Sequence, residues 1–184
     1  MVIPTAGLDH ATLPQRGGVV RTGVWTRGVS VCKVISMARP GGTGIDIIVS
    51  DRSVRVSKTV LAELIRFVAR REGVRVGRID LAIVPPREIA GLNRRYLSHD
   101  SPTDVLSFDL SDARTAGVSG QLVVCAAAAR EQGPRHGLKP AHELMLYVIH
   151  GLLHLMGYDD KAIRPAARMH ARQDELLKEF LKKR

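Results

Sequence analysis

The sequence predicts an α+β domain, a small mixed β-sheet packed with helices. Three observations point there. The chain has 184 residues, 45% of them apolar, which is enough for one domain with a substantial core. Four short segments carry strand character, and several longer ones carry helical periodicity. The two kinds mix along the chain without the strict alternation of a doubly wound parallel sheet.

The elements follow in order. "IDIIVS", from Ile45, reads as a strand. Ser57 can cap a helix in which Val60, Leu61, Leu64, Ile65 and Val68 recur at helical spacing. "RIDLAIV" (78–84) alternates like a strand, Pro85 and Pro86 stop it, and "REIAGLNRRYL" reads as a short helix. "DVLSFDL" (104–110) and "GQLVVCA" (120–126) read as two more strands, joined by a polar loop with Ser111, Asp112, Gly117 and Ser119. Helical character returns over about 125–131, again from Pro140 through His154, and finally from Ile163 to the basic end "KEFLKKR".

Residues 1–43 differ from the rest. They carry Arg16, Arg21, Arg27, Lys33 and Arg39 against a single acid, Asp9, with glycine pairs at 17–18 and 41–42 and weak apolar periodicity. This composition predicts a flexible basic arm ahead of a domain spanning 44–184. An organelle transit peptide, or a translation start placed too far upstream, would have the same composition.

A net charge of +10 suits a polyanionic partner, nucleic acid above all, although a merely soluble basic surface is the alternative that charge alone leaves open. No segment suits a membrane span: the most apolar, Leu144 to Gly157, is interrupted by His150 and His154 and has the length of a core helix. Cys32 and Cys125 show no ligand-like spacing and read as reduced thiols of a cytoplasmic protein rather than a disulfide.

The segment "HGLLHLMGYDD" (150–160) carries the chemistry. On a helix, residues four apart project side by side, about 5–6 Å between Cβ atoms. His150 and His154 can therefore share one metal ion. Gly157 can end the helix in a left-handed cap, and the aspartates beyond it can fold back. Two imidazoles and a carboxylate form an acceptable zinc set with a position left open. The alternative, two histidines satisfied in a core or on the surface, remains open; the ordered turn and acids that follow the pair weigh against it.

The same residues carry a resemblance. The YbeY family of bacterial endoribonucleases has the pattern H-G-x-L-H-L-x-G-Y-D-H, matched from His150 to Asp159, with Asp160 where the family has a third histidine. A second family block, L-N-x-x-Y-R-x-x-D-x-P-T-D-V-L-S-F, is matched at Leu92, Asn93, Tyr96, Asp100 and from Pro102 to Phe108. Leu97 stands where the family has arginine. The resemblance covers roughly residues 45–181. It implies the family's α+β fold, with the metal in a cleft. It also implies a zinc-dependent, single-strand-specific endoribonuclease with one zinc ion per chain, acting in small-subunit ribosomal RNA maturation and ribosome quality control. Ribosomal RNA or the small ribosomal subunit is then the partner. The ligands carried over are His150, His154 and, at the third position, Asp160, and the same three are the expected catalytic centre.

Both departures bear on chemistry. A carboxylate in place of imidazole lowers the positive charge of the site, weakens zinc as a Lewis acid and suits harder metals better. Loss of the arginine removes a cation that would meet charge on the scissile phosphate. Arg94 and Arg95 precede Leu97, and Arg164, Arg168 and Arg172 recur every four residues after the metal motif. Each alone reads as a solvated helix residue. Arg95, Arg164, Arg168 and Arg172 together form a candidate RNA-binding rim. Tyr158 and Asp159 read as shaping the turn or orienting ligands, and Thr103 and Asp104 as turn and capping groups.

Two rival functions remain at this point. One is an RNA-binding ribosome-assembly factor of the same fold with weak or lost nuclease activity. The other is a zinc peptidase, but the base that HExxH peptidases place after the first histidine is Gly151 here. Glu143, two turns earlier, is too distant to serve and reads as a residue of the helix surface or one that orients ligands. If residues 1–43 are dispensable for folding, a chain starting at Gly44 keeps its cooperative thermal transition and its metal content. Loss of the transition in calorimetry would show that the arm packs into the core.

Overall fold

Two strands of nearly continuous apolar character, rather than alternating apolar and polar residues, require a sheet covered on both faces. The computed structural model describes residues 44–97, 103–111, 117–160 and 162–184, so the reading of residues 1–43 as a flexible arm lies outside the described residues. Strands β1 (Gly44–Val49), β2 (Val76–Val84), β3 (Val105–Asp109) and β4 (Val118–Cys125) form one sheet in the order β1-β2-β4-β3. β1 and β4 pair parallel to β2, and β3 pairs antiparallel to β4. The mixed sheet expected of the sequence is therefore present.

Register decides which residues cover which face. Ile47, Leu81, Leu122 and Ser107 lie in one row across the sheet, and Val49, Ile83, Val124 and Val105 in another on the same face. This face packs against α1 (Lys58–Arg71), α4 (Pro140–Leu155) and α5 (Ile163–Lys182) in the main core. The opposite face, with Ala82, Val84, Leu106, Val123 and Cys125, is covered by Ile89 and Leu92 of α2 (Pro86–Leu97). Helix α3 (Ala126–Arg135) follows β4 directly and leads into α4.

Local signals explain the helix starts. Ser57 accepts hydrogen bonds from the amides of Thr59 and Val60 at 3.2 and 3.5 Å, capping α1 as expected. Pro140 occupies the first turn of α4, where a missing N–H costs nothing. α3 runs further than the sequence pattern indicated, through Pro134. Close packing accounts for this: a Cβ on Gly133 would lie 3.2 Å from Glu143 Cβ and from Pro140 Cα, so the end of α3 is pressed against the start of α4. β4 likewise starts at Val118, before the apolar alternation begins, because Val118 pairs with Val76 and its amide donates to the Arg75 carbonyl at 2.8 Å. Cys125 is a free, buried thiol whose pKa burial pushes up; Cys32, the other cysteine read as a reduced thiol, lies outside the described residues. None of the described helices is long and apolar enough to cross a membrane.

At Gly120, α4 approaches the β3–β4 ladder closely. A Cβ there would sit 2.6 and 2.8 Å from the Leu155 methyls and 2.8 Å from the Phe108 carbonyl oxygen. The methyls can move, but the carbonyl belongs to the sheet. Gly120→Ala should cost about 1–3 kcal/mol and lower the thermal midpoint by several degrees in calorimetry. An unchanged midpoint would show that α4 is not seated against this strand pair.

Candidate metal centre

Helix α4 is buried from Glu143 to Leu155 without interruption. It touches the sheet on one side and α1, α3 and α5 on others. Gly151 makes the sheet contact possible: a Cβ there would lie 2.8 Å from Leu122 Cδ2 and 2.9 Å from Ser107 Oγ. The Ser107 hydroxyl donates to the Gly151 carbonyl at 3.3 Å. A glutamate at this position, as a peptidase would need, has no room.

His150 and His154 lie along this buried helix, 2% and 5% exposed. Imidazoles so placed need hydrogen-bond partners. His150 Nδ1–H donates to Gln173 Oε1 of α5 at 2.9 Å, and His154 Nδ1–H donates to the Tyr158 carbonyl at 3.1 Å. Acceptors at both Nδ1 positions favour the tautomer that carries its proton there and leaves the Nε2 lone pair for a ligand.

The turn after α4 completes the site. Gly157 adopts φ +91°, its amide donates to the His154 carbonyl at 3.0 Å, and the Tyr158 amide reaches back to the Leu153 carbonyl at 3.0 Å. This paired closure is the Schellman arrangement, which favours glycine at the left-handed position. It returns the chain so that Asp160 Oδ2 lies 3.7 Å from His150 Nε2 and 3.6 Å from His154 Nε2. The two Nε2 atoms are 2.9 Å apart.

Three lone-pair donors thus face one point. Bonds of about 2.0–2.2 Å at tetrahedral angles would place ligand atoms about 3.3–3.5 Å from each other; the two carboxylate spacings lie close to this, and the two Nε2 atoms are closer together. Two unprotonated imidazole nitrogens and a carboxylate repel at this range, and a cation among them removes the repulsion. The residues present therefore fit a metal ion. His150, His154 and Asp160 form a group whose ligand atoms all lie within 4.8 Å of one another.

The turn is anchored from outside. The Tyr158 hydroxyl donates to Glu72 Oε2 at 2.8 Å, and Arg172 Nε donates to Glu72 Oε1 at 2.8 Å. The bond to Glu72, with burial, holds the Tyr158 phenol above its ordinary pKa. Tyr158 serves both parts of its sequence reading: its backbone orients His154 and its side chain fixes the turn.

The remaining candidates divide. Arg164 and Arg168 are exposed on α5, Arg95 is exposed on the last turn of α2 with its guanidinium carbon 5.8 Å from the Tyr96 ring centre, and Arg172 is half-buried between Glu72 and Glu175. Of the predicted site residues, His150, His154 and Asp160 are the ones whose ligand atoms the structure gathers within 4.8 Å of one another. Thr103 Oγ1 donates to the Val105 carbonyl at 3.2 Å and Asp104 Oδ1 accepts from the Val105 amide at 3.0 Å, so both shape the start of β3. Glu143 is not a surface residue. It is 1% exposed, and His136 Nδ1–H donates to its Oε1 at 3.0 Å across the α3–α4 junction. One turn on, burial pushes the Tyr147 phenol far above its usual range, helped by the Asp104 and Glu143 carboxylates.

Gln173 and Glu72 were missed by the sequence reading. Gln173 had a signal. It shares the stripe of Met169, Leu176 and Phe180 on α5, a polar residue at a core position. Glu72 had none, since it only follows the end of α1.

Fold and site together define a class: a small α+β protein in which, among the described residues, two histidines and a carboxylate at the end of a core helix form a group that could hold a metal ion. The chain belongs to the family described as endoribonuclease YbeY, whose model matches residues 46–181. It is 34% identical over 154 residues to endoribonuclease YbeY of Bacillus subtilis, covering 76% of this chain and 97% of that one. The protein of the same name from Bacillus velezensis is 34% identical over 150 residues, covering 74% of this chain and 94% of the relative. Among solved structures, the solution structure of TM1509 from Thermotoga maritima matches with a TM-score of 0.52 and 27% identity, over 76% of this chain and 90% of that one.

His150→Ala should abolish stoichiometric metal while leaving the fold intact. Elemental analysis of the purified variant checks this, and one metal per chain retained would place the site elsewhere.

Proposed function

We propose that this protein is a zinc-dependent endoribonuclease that cleaves single-stranded ribosomal RNA during small-subunit maturation and quality control in the cytoplasm. Residues 44–184 carry the activity and residues 1–43 form an appended basic arm. The observation that carries the reading is the convergence of His150, His154 and Asp160 with both histidine tautomers set for ligation. Membership in a family named for endoribonuclease activity supports the reaction type, and the net charge of +10 supports a polyanionic substrate.

Zinc bound at this site would polarise a phosphoryl oxygen and make water acidic enough to attack near neutral pH. The chain's own part is to hold and aim. Gln173 and the Tyr158 carbonyl keep the imidazoles in the ligating tautomer. Burial of α4 strips water from two sides of the centre and strengthens electrostatic interactions there. Asp160 contributes a full negative charge, so the centre is less positive than one built of three neutral imidazoles. That raises the demand for a cation at the scissile phosphate. Arg164 and Arg168, both exposed on α5, would supply the phosphate-binding rim with Arg95, while Arg172 beside them holds Glu72.

The position of Leu97 supplies a test. Removing a cation that meets transition-state charge typically costs about 10²–10³ in rate. If no arginine substitutes for one there, Leu97→Arg raises cleavage of a single-stranded RNA substantially at constant metal content. If Arg95, Arg164 or Arg168 already supplies the charge, Leu97→Arg changes little and alanine at the substitute abolishes cleavage. RNA binding without cleavage in every variant would instead favour a ribosome-assembly factor that has lost the nuclease.

A further inference from the structure

We infer that Gln173 is a positioning residue for the metal centre, and that His170 sets which end of the Gln173 amide faces His150. The inference rests on the metal reading above and deepens it. Gln173 is 4% exposed and sits between Met169 and Leu176, both fully buried, so its side chain has little freedom to leave. Its Oε1 accepts from His150 Nδ1 at 2.9 Å and its Nε2 donates to His170 Nδ1 at 3.3 Å. His170 and Gln173 are three apart on α5 and therefore share a face. The His170 ring lies 6.0 Å from the His150 ring, inclined at 28°.

A neutral imidazole has one proton to place. An acceptor at Nδ1 draws the proton there and leaves the Nε2 lone pair directed at the metal point. The two ends of an amide have nearly the same size, so packing does not choose between them. Turned over, the amide would present its NH₂ to Nδ1. The proton of His150 would then move to Nε2, where it blocks ligation. The bond to His170 distinguishes the two orientations when His170 Nδ1 is the unprotonated nitrogen, because it then requires a donor on that side of the amide.

His154 has no such vulnerability. Its Nδ1 partner is the Tyr158 backbone carbonyl, held by the turn closure. A carbonyl cannot be turned to offer a proton. The two ligands are thus oriented by different devices, and only that of His150 can be undone by one side-chain change.

The test uses the full chain and zinc ion, with affinity measured by competition against a chromophoric chelator. Histidine ¹⁵N NMR of the metal-free protein gives the tautomer of His150. Gln173→Leu should weaken zinc about 10–100-fold and leave the His150 ring a mixture of tautomers. Gln173→Glu, which keeps an acceptor, should hold zinc at least as tightly as the wild type. A carboxylate has no wrong end, so His170→Phe should weaken zinc in the wild-type background and have no effect in the Gln173→Glu background. That pair of measurements decides the matter even if Gln173→Leu fails to fold. Wild-type affinity in Gln173→Leu, or an equal loss on His170→Phe in both backgrounds, overturns the inference. The tautomer measurement needs no metal and separates the two failures. A wild type that binds no zinc yet shows His150 protonated on Nδ1 sinks the metal reading and keeps the orienting role. A wild type protonated on Nε2 sinks the inference directly.

Discussion

Burial of helix α4 is the constraint on which the rest depends. Its residues from Glu143 to Leu155 are all buried, so its polar groups depend on partners from neighbouring elements; the Tyr147 hydroxyl and Glu143 Oε2 find none, whereas the two histidines and Glu143 Oε1 do. Apolar side chains meet this by packing, but His150, His154 and Glu143 cannot. Gln173 must therefore lie on an otherwise apolar stripe of α5, the chain must turn back at Gly157 to bring the Tyr158 carbonyl to His154, and His136 must cap the α3–α4 junction at Glu143. Each of these satisfies a buried group. Two of them also direct an Nε2 lone pair at a single point. The candidate metal site is in this sense a consequence of satisfying a polar pair inside a core.

The hydrogen-bonded chain extends well beyond the ligands. Glu72, just past the end of α1, receives the Tyr158 hydroxyl and the Arg172 guanidinium. The metal turn is thereby tied to α1 and α5, elements that come from both ends of the described chain. The arrangement also commits Arg172 to carboxylates and leaves Arg164 and Arg168 as exposed charge on the same helix. Ion-paired and solvent-exposed arginines are thus divided within one four-residue repeat. The division follows from depth: the position nearest the core acquires partners, and those nearer the start of the helix remain solvated.

Two glycines in the metal motif act for unlike reasons. Gly157 meets a backbone demand, a positive φ that ends the helix and reverses the chain. Gly151 has ordinary helical geometry and meets a demand for space against Leu122, Val105 and Ser107. Asp160 adds an electrostatic difference. With two neutral imidazoles and one carboxylate, a divalent ion held there would keep roughly a single net positive charge, less than among three imidazoles.

Much of this was legible in the residues alone. Periodicity placed the strands and helices, because apolar spacing reports which face must be buried. The HxxxH spacing, the glycine and the acids indicated a metal ligand set, because helix geometry is local and a Schellman turn needs few residues. What the sequence could not settle was everything that depends on register between distant segments. The start of β4 is decided by Val76, the length of α3 by the approach of α4, and the tautomers of both histidines by acceptors that only packing delivers. Gln173 is 23 residues from His150 and Glu72 is 86 from Tyr158. Helical periodicity relates neighbours within a turn or two. A hydrogen bond across that much chain exists only once the core has fixed where each helix lies.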